Sequence, residues 1–167
     1  MKRKISRLAS SAAVATILAT SAVVMTPTSA LAAAATKCSA VQKKTFDTIG
    51  ANLTVAIKLC VQRTSTNYYS AWSYISWNGN GDGLAVGMEK LKVNLRLERN
   101  DADYRTGSND YTSEVNAYES KTNWGFGTTT YYSSTSGGWT ADGNVEWDIN
   151  NDGKGGGTWS LGGSPSI

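Results

Sequence analysis

The chain has 167 residues, room for one ordinary domain and too few for two. Its 16 Lys and Arg outnumber 13 Asp and Glu for a formal charge of +3, and it contains two Cys and no His. The missing histidine excludes Ser-His and Cys-His nucleophiles, His-ligated zinc and an imidazole proton shuttle.

Residues 1–32 are expected to be a secretory signal peptide. Lys2, Arg3, Lys4 and Arg7 precede an apolar run over 12–25, Pro27 ends it, and Ala30-Leu31-Ala32 supplies the small-x-small cleavage pattern. Cleavage is expected after Ala32, with Ala34 and Ala35 as alternatives, which makes the mature chain extracellular with no membrane segment. The leader removes four of the 16 basic residues and no acid, so 12 bases face 13 acids in the exported chain, a net −1. The basic character of the precursor therefore belongs largely to a discarded segment. What survives is regional: over 33–63, Lys37, Lys43, Lys44, Lys58 and Arg63 face Asp47 alone, whereas over 140–167, Asp142, Glu146, Asp148 and Asp152 face Lys154.

Residues 33–50 read as an N-terminal extension. They lack a sustained apolar period, and Lys37, Val41, Lys43, Lys44, Phe46 and Ile49 are the candidate partner-docking residues. Cys38 and Cys60, an even pair in an exported chain, are expected to form a structural disulfide; their spacing does not suit CxxC redox or metal chemistry.

The β-domain spans 51–167. Leu53, Val55, Ile57, Leu59 and Val61 alternate with more polar residues, the period of a half-buried strand, and 64–67 is turn chemistry before a returning strand over 68–77. A loop covers 78–83, and Leu91, Val93, Leu95 and Leu97 alternate with Lys92, Asn94, Arg96 and Glu98. A polar turn region is expected over 100–109, then an edge or sheet-surface strand over 111–120 and a short strand around 128–132. Residues 139–149 form a further strand through Val145, Trp147 and Ile149, and 158–161 a last short one. Six or seven strands without a sustained helix predict an all-β fold: a single small antiparallel β-sandwich, with a β-barrel as the alternative.

Two loops carry calcium-type spacing. Asn78-x-Asn80-x-Asp82-Gly83 with Glu89 departs from the calcium-loop pattern only at its first residue, and Asp148-x-Asn150-x-Asp152-Gly153 lacks the closing Glu. Both are flanked by strand patterns, so ordinary turns are favoured over calcium, and no cofactor is expected. Aromatic density is the second signal: Trp72, Trp77, Trp124, Tyr131 and Tyr132 are candidate ligand aromatics for an extracellular carbohydrate, against a role in packing. Asp101, Asp103 and Asp110 could pair as catalytic carboxylates, but loop acids are more often solvated turn residues, and an enzyme is the least expected class. Lys90, Lys92, Arg96 and Arg99 are expected to form the solvated side of a strand, and with the near-neutral mature charge no nucleic-acid partner is expected.

The run Gly137-Gly138-Trp139-Thr140-Ala141-Asp142-Gly143, continuing through Asp148-Ile149-Asn150-Asn151-Asp152-Gly153-Lys154-Gly155 to Trp159-Ser160-Leu161-Gly162-Gly163-Ser164-Pro165, resembles small secreted proteins of Streptomyces and related actinobacteria. Leu59-Cys60-Val61-Gln62-Arg63 and Leu95-Arg96-Leu97-Glu98-Arg99 add to the likeness. In layout the chain is similar to the small bridging subunits of umbrella toxin particles. That resemblance implies a secreted β-domain joining a lectin-bearing subunit to a large antibacterial toxin, with the extension at 33–50 inserting into a cleft of the lectin-bearing partner; a Cys38 to Cys60 bridge would limit its reach. The expected function is thus a secreted, non-enzymatic protein-interaction or scaffold component. The alternatives are an inhibitor of an extracellular hydrolase presenting a loop at 100–109, and a carbohydrate- or cell-wall-binding module.

Overall fold

The computed structural model describes residues 33–48, 52–80, 87–117 and 120–167, all of them in the unit Leu31–Ile167. The expected signal peptide, Ile49 and Asp82 lie outside the described residues.

Two antiparallel sheets pack face to face. The six-stranded sheet contains β1 (Ala35–Cys38), β2 (Gln42–Asp47), β3 (Asn52–Arg63), β4 (Tyr68–Asn80), β7 (Ser120–Gly127) and β8 (Tyr131–Tyr132). The four-stranded sheet contains β5 (Met88–Arg99), β6 (Ala102–Asp110), β9 (Trp139–Ile149) and β10 (Gly157–Ser160), in the order β10-β9-β5-β6. Among the described residues no ladder joins the sheets, so the fold is a sandwich and not the alternative barrel. The described residues form ten strand segments where six or seven are expected: β1 and β2 arise in the expected extension and β6 in the expected turn region.

Alternation decides what is buried. On β3, Leu53, Val55, Ile57, Leu59 and Val61 point inward, and on β5, Leu91, Val93, Leu95 and Leu97 meet them from the opposite sheet. Aromatics close both ends of this aliphatic centre. Trp139 stacks on Tyr69 at 4.5 Å with Tyr104 at 4.9 Å at one end. Trp77 lies 6.1 Å from Tyr111 and 5.9 Å from Trp124 at the other.

The segment expected as an N-terminal extension is part of the sheet over 35–47. β1 and β2 both pair with β3, and the register slips between them: three residues, 39–41, face the two residues 58 and 59. The opposite edge repeats the device, with 128–130 facing 70 and 71 between β7 and β8. There the Thr128 hydroxyl accepts from the Ala71 amide at 3.1 Å while the Thr128 amide donates to the Ala71 carbonyl at 2.9 Å, so the side chain bridges the break. The disulfide joins Cys38 to Cys60 at directly opposed positions, Cα to Cα 4.0 Å. The C-terminal tail holds the same edge: Gln42 exchanges hydrogen bonds with Gly162 (2.9 and 2.6 Å), and the Lys37 ammonium donates to the Ser166 carbonyl at 2.9 Å.

Two expectations after β5 are corrected. The polar stretch 100–109 is a two-residue turn followed by β6. Asn100 and Asp101 both have positive φ (49° and 65°), the conformation that a tight hairpin needs. β6 is an edge strand, largely exposed and therefore polar, and it supplies no protruding inhibitory loop. The expected strand over 111–120 begins instead as a helix, α1 (Thr112–Ala117), because Tyr111 and Val115 are both buried at i, i+4 spacing. The Asp110 carboxylate accepts from the Thr112 amide at its start, and the Asn116 side chain pairs with both backbone groups of Met88.

Candidate functional site

The outward face of β4 carries Tyr68, Ser70, Trp72, Tyr74, Ser76 and Asn78 at every second residue, while Tyr69, Ala71, Ser73, Ile75 and Trp77 point into the core. Tyr132 lies opposite Tyr68, 5.3 Å between ring centroids, and both rings are open to solvent (57% and 43%). Trp72 and Tyr74 lie 6.5 Å apart with 21° between their planes, and the Trp72 indole N–H donates to the Ser70 hydroxyl at 3.1 Å.

Glycines opposite these two rings determine how they lie. In register, Trp72 faces Gly127 and Tyr74 faces Gly125. A Cβ on Gly127 would sit 2.8 Å from the indole, and one on Gly125 would sit 3.1 Å from the Tyr74 ring. Both rings therefore extend across β7 with one face on its backbone; the outer face of Trp72 is turned to solvent and that of Tyr74 lies under the Lys58 ammonium. The result is an aromatic stripe from Tyr68 to Tyr74, six residues or roughly 20 Å long. Cys38 and Cys60 share the cross-strand row of Trp72, and Lys58 shares that of Tyr74, its ammonium 5.4 Å from the ring centroid.

Of the five candidate ligand aromatics, Trp72 and Tyr132 occupy this face. Trp77 is 3% exposed and belongs to the core; Trp124 packs on Trp77, and Tyr131 packs between Tyr104 (5.0 Å) and Trp139 (5.6 Å). Tyr68 and Tyr74 were not among the candidates. The even-numbered phase of 68–78, set against two glycines two residues apart on a neighbouring strand, is the signal that finds them.

The candidate docking residues are divided. Phe46 is 2% exposed and packs 5.3 Å from Trp147, with the Lys44 ammonium over both rings at 5.6 and 4.8 Å. Lys37 is engaged by the tail, Lys43 is exposed on the outer face beside Ala56, and Val41 projects from the register slip.

The described residues of the calcium-type loops lie on strands and in a turn. Asn78 and Asn80 lie within β4, and Glu89 is on β5. Asp148 is the penultimate residue of β9, Asn150 follows its end, and the Asp152 carboxylate accepts from the Lys154 amide at 2.8 Å, an ordinary turn bond. Among the described residues no three Asp, Glu, His or Cys side chains converge as ligands for a metal.

The outer face of the four-stranded sheet is a ladder of ion pairs. Arg96 lies 2.8 Å from Asp142, 3.0 Å from Glu98 and 3.9 Å from Asp103, while Lys90 pairs with Glu146. These partners neutralise two of the four bases of that strand. Asp101 is in the tight turn, and Asp103 and Asp110 stand seven residues apart on β6, roughly 23 Å, too far for a glycosidase pair.

Burial pushes the Glu98 carboxyl above its usual range; Arg96 opposes this, and Asp142 and Asp103 add to it. A raised folded value means that this group's contribution to stability is full below the ordinary carboxylate range and is lost as pH rises through the raised one. Glu98→Gln, permanently neutral, is therefore expected to melt higher than the parent at pH 7 and level with it in acid. A variant that melts lower than the parent at pH 7 would show that the Arg96 pair outweighs the burial.

Among the described residues no helix is long and apolar enough to cross a membrane. No protein-family model matches the chain, and no curated protein and no solved structure matches it.

Proposed function

We propose that the exported chain is a secreted, non-enzymatic binding component that works through the outer face of the six-stranded sheet by stacking on the rings of a sugar polymer. One observation carries this reading: Trp72 and Tyr74 lie flat over Gly127 and Gly125, nearly parallel, on a face that also carries the polar residues Ser70, Ser76, Asn78, Thr54 and Lys58. An anchor of a protein interface projects into a pocket of its partner. A ring laid along its own sheet offers a flat π-face with polar groups around it, the shape that stacks on a sugar ring and hydrogen-bonds its hydroxyls.

Retention of the purified protein on insoluble cell-wall polysaccharide tests this. Trp72→Ala and Tyr74→Ala are each expected to weaken retention about tenfold, roughly 1.4 kcal/mol, with little change in melting because both side chains point outward. Gly127→Val keeps the indole but forces it off the sheet, and is expected to weaken retention similarly. Parent-like retention by all three variants would end the reading.

The bridging role has an observation of its own. Val41 is 55% exposed at the register slip, between two residues lining a shallow cavity of about 320 Å³ that the tail glycines Gly162 and Gly163 complete. A secreted protein partner seated on this seam would leave the aromatic face free. Because the disulfide and tail hold the segment to the domain, such a partner would dock on the seam without drawing the strand out of it. Loss of a co-purifying secreted partner on Val41→Asp is the check.

A further inference from the structure

The aromatic face is also the basic face. Lys58 stands beside Tyr74, and Lys43 lines a cavity of about 440 Å³ that continues the stripe past Tyr74 along Ala56, Ser76 and Asn78; Lys121, which also lines it, pairs with the core-facing Trp77. Lys121 also lies over the Trp124 ring at 5.0 Å. Among the described residues of this face the one acid is Asp47, at its far end opposite Asn52. The outer face of the other sheet carries Glu98, Asp103, Asp142 and Glu146. The stacking rings thus have lysines beside them, whereas the acids of the opposite sheet face bases of their own, Lys90 and Arg96.

We infer that the polymer is a polyuronate, a glycan whose sugar rings themselves bear carboxylates. This rests on the stacking reading above and narrows its ligand. The position of Lys58 carries the choice. Its ammonium is 5.4 Å from the centroid of a stacking ring, within reach of a charge carried by a sugar stacked there. A ring carboxylate satisfies this, whereas a phosphodiester-linked polymer places its charge between units. Lys43, exposed on this face, meets the carboxylate of a following residue as the chain runs from the platform into the cavity.

The experiment uses protein recovered from culture medium after export, with immobilised polygalacturonate as the charged probe and a neutral galactan of similar length as its control. Polygalacturonate is expected to bind at least tenfold more tightly, with the preference shrinking as salt screens the lysines. Lys58→Gln should weaken polygalacturonate binding about tenfold, the cost of one charge-assisted contact, and leave galactan binding unchanged. Trp72→Ala should weaken both. Equal binding of the two polymers overturns the inference and leaves the stacking reading in place. So does tighter binding of a polyglycerol-phosphate polymer than of polygalacturonate. Salt-sensitive polygalacturonate binding untouched by Trp72→Ala overturns it as well, because the surface is then merely basic. Binding to none of the polymers overturns both.

Discussion

Truncation of Trp139 to alanine is expected to cost about 3–5 kcal/mol, a large part of the roughly 5–15 kcal/mol that holds a domain of this size folded. The side chain is fully buried, and three rings close on it: Tyr69 stacked at 4.5 Å, Tyr104 edge-on at 4.9 Å and Tyr131 at 5.6 Å. These come from β4, β6 and β8, so one residue of β9 ties both sheets together. Its indole N–H donates to the Thr135 carbonyl at 3.0 Å, and its backbone pairs with Ile167. Trp139→Phe keeps a ring but abandons that carbonyl, and is expected to fall between parent and alanine. Urea midpoints measure the series; a loss below about 1 kcal/mol for alanine would mean that the sheets close without this hub.

Reduction of the disulfide is the second large effect. Cys38 and Cys60 are 22 residues apart, and closing a loop of that length removes about 3 kcal/mol of unfolded-chain entropy in the loop-closure account. The folded state needs little rearrangement to give up the bond, because β1 also pairs with β3 through its backbone and Lys37 holds the tail. The Cys38→Ser/Cys60→Ser double variant is therefore expected to fold to the same structure with its unfolding free energy lower by about 3 kcal/mol. An unmoved urea midpoint would show that the unbridged chain already holds its ends together.

The two strands legible residue by residue are β3 and β5. Each has one face against the core, and an unbroken alternation such as Leu53 to Val61 has only one reading. β6 and α1 escaped for opposite reasons: β6 is an edge with almost nothing to bury, and α1 is a single buried i, i+4 pair. The candidate site was half legible. Trp72 and Tyr132 could be named from aromatic density, but β4 buries Ala71 and Ser73 while showing Tyr68, Trp72 and Tyr74 to solvent. Hydrophobicity therefore misleads about its phase. Only the cross-strand register reveals that Gly125 and Gly127 make the room in which the rings lie. Phe46 and Trp77 show the converse, since a residue type suited to docking was taken by the core.

The register slips at 39–41 and 128–130 bear on the fate of the chain among its own copies. A straight, unbroken border strand is a template on which another molecule can add, and repeated addition ends in fibrils. On one border β1 offers four residues and β2 six before the line breaks; on the other, β7 offers eight and β8 two. The side chain thrown outward at the first break is Val41, so the residue that spoils polymerisation there is also the one left free to be recognised by a different molecule.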